Sequence, residues 1–150
     1  MLADSLLLPD CIYRPGSFTG LMVLYESNFL KLGRLIDPHE IGKAKRISRV
    51  RGDNDLYLEC MQSEPYTTTT RLTYWLDDAG GLPIMDPDMI IRVYHDASLV
   101  EAVSCRAQHR HRMIRELARS HAGELNRRWQ INMMLNKWLD YVLDCGHGFA

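Results

Sequence analysis

Two stretches of helical periodicity stand toward the ends of this chain, and the stretch between them reads as strand after strand with no helix interposed. From Ser17 to Ile36, residues Leu21, Leu24, Tyr25, Phe29, Leu32, Leu35 and Ile36 recur at three and four, the stripe of a helix with one buried face. Ser17 is placed to cap it, and Pro38 ends it. From about Trp129 to Cys145, residues Ile131, Met134, Leu135, Trp138, Leu139, Val142 and Cys145 form a second, wider stripe, with Gly146 where a C-terminal glycine cap belongs.

The strand signals fall between these helices. A short basic stretch from Ala44 to Val50 leads into Gly52-Asp53-Asn54-Asp55, a strong turn signal. Leu56, Leu58 and Cys60 then alternate with Tyr57, Glu59 and Met61, and Tyr66 to Leu76 is rich in threonine, tyrosine and tryptophan, so the two runs predict a hairpin. Strand character returns at Met89 to Tyr94 and at Leu99 to Cys105. Strands that follow one another without helices disfavour a doubly wound parallel fold. The order predicts an α+β fold: a mostly antiparallel sheet of about four to five strands flanked by an N-terminal helix and C-terminal helices.

At 150 residues the chain is long enough for one sizeable core and short for two. Residues 1 to 16, with Pro9, Pro15 and Gly16, read as an N-terminal arm, and 17 to 150 as a single domain. Asp77 to Asp88, carrying Gly80, Gly81, Pro83 and Pro87, reads as a long loop, and Gln108 to Ala118 as an arginine-rich helix of poor amphipathicity. Trp75, Trp129 and Trp138 are expected as core anchors. The early run Leu6-Leu7-Leu8 lacks a preceding basic stretch and is stopped by Pro9, so it is no secretory core, and nothing later reaches the length of a spanning helix. The expectation is a cytoplasmic protein with no membrane association. Cys11, Cys60, Cys105 and Cys145 are scattered singly, which fits reduced thiols and leaves no sulfur-based metal site. No metal and no cofactor is expected.

Motifs that carry familiar chemistries are missing: there is no phosphate loop, dinucleotide fingerprint, HExxH or GxSxG. The densest polar string is Arg92-Val93-Tyr94-His95-Asp96, with Glu101 close behind. His95 beside Asp96 suggests a general base and its orienting carboxylate, yet neighbours in an extended strand point to opposite faces. Strand geometry puts His95 with Ile91 and Val93, and Asp96 with Arg92 and Tyr94; a turn at His95-Asp96-Ala97 relaxes that objection. The plainer reading makes Asp96 a turn cap, hydrogen-bonds His95 beneath it and pairs Arg92 with a sheet neighbour such as Glu101. A second candidate is the segment 106 to 128, where seven arginines face Glu116 and Glu124 in a chain of net charge -1. Such charge can contact phosphates, but without interleaved aromatics for stacking the sequence favours a solvated face over nucleic-acid binding.

Tyr74-Trp75, the string Met89-Ile90-Ile91-Arg92-Val93-Tyr94-His95-Asp96-Ala97, and Gln130-Ile131-Asn132 with Leu135, Trp138-Leu139, Tyr141 and Gly146 together resemble, in order and spacing, the YqiB-like family of proteobacterial proteins of unknown function. Tyr25-Glu26-Ser27-Asn28-Phe29 with Leu32 and Leu35 is similar to that family's N-terminal helix, so the resemblance spans about residues 20 to 147. It implies a small bacterial cytoplasmic protein and assigns no activity, cofactor or catalytic residue. The sequence therefore points first to a non-catalytic binding or regulatory module presenting Arg92, Tyr94, Asp96 and Glu101 to a small anionic ligand or a protein partner. The alternatives are a small hydrolase or lyase with His95 as base and Arg92 as anion clamp, and, more weakly, nucleic-acid association through 106 to 128.

Overall fold

The computed structural model describes residues 17–42, 45–77, 83–106 and 127–149. Helix α1 spans Phe18–Leu35. Ser17 caps it as expected: its hydroxyl accepts the Gly20 amide at 3.0 Å, and Ile36 N–H closes the other end on the Leu32 carbonyl. A single 3-10 turn, Pro38–Glu40, follows. Five strands come next: β1 Arg46–Ser48, β2 Asp55–Ser63, β3 Thr67–Asp77, β4 Pro83–Tyr94 and β5 Leu99–Arg106. Helix α2, Arg127–Asp144, completes the described chain. Gly146, at φ +97°, takes the left-handed position that terminates α2, with the amides of Gly146 and His147 returning to the carbonyls of Leu143 and Val142.

The strands form one antiparallel meander in the order β1-β2-β3-β4-β5, so the predicted α+β class and the hairpin between β2 and β3 both hold. Alternation decides the two faces. Leu56 and Leu58, Leu72 and Tyr74, Met89, Ile91 and Val93, and Val100 and Ala102 point to one side, where Leu32, Leu35, Leu135, Trp138, Leu139 and Val142 of the helices cover them. The intervening residues Tyr57, Glu59, Arg71, Asp88, Ile90 and Arg92 point to the other side. Trp129 and Trp138 are core anchors, whereas Trp75 is half-buried on the far face, edge-to-face with Tyr57 at a centroid distance of 5.6 Å.

The loop expected from Asp77 to Asp88 is mostly strand. Asp77 pairs with Pro83, Leu76 with Ile84 and Trp75 with Met85; beyond a register shift, Thr73 pairs with Asp88. Between those pairs β4 has one residue more than β3, and Pro87 sits in that irregularity, where its missing N–H costs no ladder bond. Residues 78–82, and the helix expected from Gln108 to Ala118, lie outside the described residues, as does the arm 1–16.

The helices meet through side-chain amides as well as apolar contacts. Asn28, Lys31, Asn132 and Asn136 are all buried. Asn136 Nδ2 donates to Asn28 Oδ1 and Ser27 Oγ, both at 3.0 Å, while Lys31 Nζ reaches Asn136 Oδ1 at 2.9 Å and Asp140 at 2.7 Å. Burial pulls the Lys31 ammonium below its ordinary pKa, and the Asp140 bond opposes that shift. Asn132 has a further task at the sheet edge. Its Oδ1 accepts Ala102 N–H at 2.6 Å and its Nδ2 donates to the Ala102 carbonyl at 3.3 Å, so one amide completes the ladder that edge strand β5 would otherwise leave open.

Candidate functional site

Three of the residues singled out from the sequence come together. Register sets Arg92 opposite Glu101. Glu101 Oε1 accepts the Tyr94 hydroxyl at 2.9 Å, and Oε2 accepts the hydroxyl of Tyr25 at 3.2 Å. Tyr25 comes from α1, which packs along β5. Burial, and then the Glu101 charge, push its phenol up to about 12. The bond to Tyr94 and the Glu101 and Glu64 carboxylates hold the Arg92 guanidinium still more firmly in its charged form. Sequence reasoning placed Tyr25 in a buried stripe and missed its hydroxyl, because a helix pattern does not reveal what a tyrosine tip reaches.

His95 and Asp96 do not join this group. β4 stops at Tyr94, and His95 to Ser98 form the turn into β5. His95 N–H bonds the Tyr66 carbonyl at 2.9 Å, and its Nε2 lies 2.8 Å from the hydroxyl of Thr68. Thr68 is buried and aligned with Val93, so the ring turns toward the helix-covered side, away from Arg92. Asp96 is exposed at the turn, and no hydrogen bond joins it to His95.

Sequence reasoning missed a second constellation altogether. His147 Nε2 lies 2.8 Å from Asp53 Oδ2, and Nδ1 lies 2.9 Å from the Ser48 hydroxyl. Tyr74 Oη donates to the same Asp53 oxygen, and Gly148 N–H donates to Ser48 Oγ at 3.1 Å. A carboxylate that accepts from Nε2 leaves Nδ1 free to take the serine proton, which is the chemical order of a nucleophilic relay. Access argues against that role. The His147 and Asp53 side chains are 0% and 6% exposed, and Ser48 is buried with them. The cluster clasps the C-terminal tail to β1, β3 and the β1–β2 turn, and Phe149 N–H extends the clasp to the Leu35 carbonyl at 2.8 Å. In the sequence Asp53 signals only a turn, because its imidazole partner stands 94 residues away.

The sheet face opposite the helices carries two adjoining depressions. The larger, about 510 Å³, is lined by Met61, Arg71, Asp88, Ile90, Ser104, Cys105, Arg106 and Arg127. The smaller, about 240 Å³, is lined by Lys45, Tyr57, Glu59, Arg71, Thr73, Trp75 and Met85. Arg71 stands between them and grips Asp88 with two bonds, Nε to Oδ1 at 2.7 Å and Nη2 to Oδ2 at 2.6 Å, while Thr73 adds a third at 3.1 Å. Those bonds, Arg71 foremost, hold the Asp88 carboxyl below the usual aspartate range. Arg106 and Arg127 form no ion pair with any carboxylate among the described residues. Cys105 borders the larger depression, but its thiol, pushed up to about 12 by burial, turns to the helix-covered side, 3.6 Å from Met134 Sδ. Of the segment 106 to 128, only Arg106, Arg127 and Arg128 fall within the described residues. Among those residues no group of His, Cys, Asp and Glu could hold a metal ion, and no helix is long and apolar enough to cross a membrane.

A small α+β protein is thus defined, with one helix-covered sheet face, an arginine-bearing second face that no helix among the described residues covers, and a buried His-Asp clasp. The chain belongs to the family described as a protein of unknown function, DUF1249, which matches residues 31–148. It is 28% identical over 143 residues to the uncharacterized protein YqiB of Escherichia coli K12, and equally to those of the O6:H1 and O157:H7 strains, with 91% of this chain and 93% of each relative covered. The resemblance read from the Arg-Val-Tyr-His-Asp-Ala string and the tryptophan helix is therefore correct. No solved structure matches the chain. Both His-Asp pairs and both depressions lie inside the matched span, whereas Tyr25 and Asn28 precede it.

Proposed function

We propose that the protein is a non-catalytic binding module that takes an anionic small molecule on the open face of its sheet. The observation that carries this reading is the larger depression: among the described residues three arginines line it against one carboxylate, and that carboxylate is already held by Arg71 and Thr73. Among the described residues Arg106 and Arg127 remain to neutralise a ligand, and Ile90 and Met61 supply apolar floor, the mixture expected of a small-molecule site. Arg92 stands on the same face, two residues along β4 from Ile90, roughly 7 Å away at strand spacing. Tyr94 and Glu101 keep that guanidinium oriented at the rim, and Asp96 has no part in the site.

The competing reading, a hydrolase or lyase with His95 as base and Arg92 as clamp, requires the two side chains to converge on one substrate. The imidazole is turned to Thr68 on the helix-covered side and the guanidinium to the open side, so this arrangement lends the reading no support. The test is a thermal-shift series with phosphate, pyrophosphate and small di- and tricarboxylates against chloride at matched ionic strength, since a ligand of the native state raises its melting temperature. The expected result is a saturable rise of several degrees for at least one anion, lost in the exposed-site double variant Arg106→Gln/Arg127→Gln. No rise for any anion, or the same rise in the double variant, would sink the proposal.

A further inference from the structure

The open face offers more than an inorganic anion needs. Strand register lays Tyr57, Thr73, Asp88 and Arg106 in one straight row across β2, β3, β4 and β5, with Glu59, Arg71, Ile90 and Ser104 in the row beside it. At about 4.8 Å per strand, Tyr57 and Arg106 stand roughly 14 Å apart, with Arg71 shared by the depressions at either end. One end is aromatic and apolar: Trp75, Tyr57 and Met85. The other is cationic: Arg106 and Arg127. The exposed carboxylate of Glu59 stands beside Tyr57 on β2, opposite Arg71 in register, and lines the smaller depression together with Trp75.

From this layout we infer that the ligand is a free nucleoside phosphate; the inference rests on the anion-binding reading of the same face. The base stacks on Trp75, which Tyr57 braces edge-on at 5.6 Å and beside which Met85 adds a soft apolar wall. Glu59 accepts hydrogen bonds from the ribose hydroxyls, the use of an acidic side chain found in dinucleotide sites. The phosphates fall in the larger depression against Arg106 and Arg127. Lys45, held 5.4 Å over the Tyr57 ring, adds positive charge at the base end. A bare phosphate would leave Trp75, Met85 and Glu59 without a role, and an uncharged nucleoside would leave Arg106 and Arg127 without one.

The experiment is a tryptophan-fluorescence and calorimetric titration of the full chain with ADP, UDP, adenosine, pyrophosphate and an eight-residue single-stranded oligonucleotide. Trp129 and Trp138 are buried, so a change on binding at this face reports Trp75. The expected result is saturable quenching by ADP and UDP, affinity for either at least tenfold above that for pyrophosphate or adenosine, and no quenching in Trp75→Phe. Stacking makes Trp75→Ala weaken ADP by roughly tenfold or more while leaving pyrophosphate unchanged. Glu59→Gln, an exposed change that does not threaten folding, weakens ADP more than the 2′,3′-dideoxy analogue. If pyrophosphate binds as tightly as ADP with no change in fluorescence, the nucleoside inference fails and the anion module stands. If neither binds, both fail. If only the oligonucleotide binds, a single-stranded nucleic acid replaces the free nucleotide.

Discussion

His147 meets an aspartate across space and His95 has one beside it in the chain, and the two histidines sit at opposite ends of β3. His147 meets Asp53 at 2.8 Å in a buried setting where both ring nitrogens are engaged, and Ser48, Tyr74 and the Gly148 amide complete the cluster. His95, next to Asp96 in the chain, makes one side-chain bond, to Thr68, while Asp96 stands in solvent. The difference is one of dielectric. A buried ionisable pair is weak as a net contributor but costly to break, because removing one partner strands the other's charge away from water. At an exposed turn, water replaces whatever is removed.

That contrast predicts its own largest effect. His147→Ala leaves the buried Asp53 carboxylate without its imidazole partner, and should destabilise the protein by about 3–5 kcal/mol in urea or guanidinium unfolding. Asp53→Ala should cost a similar amount, and the double variant should cost much less than the sum, since the penalty belongs to the orphaned partner. Additive costs would show that the two groups are not coupled and would remove the clasp as an explanation.

A neutral buried group should fall next. Asn132→Ala strips partners from both the N–H and the C=O of Ala102 and opens the β5 edge, at an expected cost of about 2–3 kcal/mol. Hydrogen exchange at Ala102 should rise with it, and an unchanged Ala102 amide would mean that water already satisfies this edge.

Which of these features could be read in the sequence follows from what patterns report. Both helix ends were legible, Ser17 and Gly146 alike, because caps are local chemistry, and so was the β2–β3 hairpin, because alternation is local too. The buried amides Asn28, Asn132 and Asn136 were not, since a periodic reading counts apolar residues and passes over polar ones whose partners lie on other elements, 30 to 108 residues away. Pro83 and Pro87 concealed the first half of β4 as a loop, when a register shift accommodates the second of them. Arg92, Tyr94 and Glu101, which the fold brings together, stand out in the sequence through local polar density. The row Tyr57–Thr73–Asp88–Arg106 takes one residue from each of four strands and appears only once the register is known.

The Arg71–Asp88 pair lies between the extremes, with side chains 33% and 10% exposed, and pH tests it better than deletion. Its Asp88 carboxyl is held below the ordinary 3.8, by the Arg71 bonds above all. The folded chain therefore resists protonation that the unfolded chain accepts. The pair's contribution is complete above the unfolded value and is lost as pH falls through the lower folded one. Denaturation followed from pH 7 down to pH 2 should show an acid limb that is shallower in Asp88→Asn than in the parent chain. Identical limbs would assign the acid sensitivity to other carboxylates.

The smallest effects belong to the exposed pair, and they sharpen the contrast most. His95→Ala removes one bond to the buried Thr68 hydroxyl, so it should cost about 1 kcal/mol, partly recovered in His95→Gln, whose amide can still reach that hydroxyl. Asp96→Ala, at the exposed turn, should stay within about 0.5 kcal/mol of the parent. Neither substitution should alter binding of an anion on the open face, because His95 faces Thr68 and Asp96 lines neither depression. Loss of anion binding in His95→Ala with the melting temperature unchanged would reverse the assignment, returning the chemistry to the turn and leaving the arginine face as mere surface.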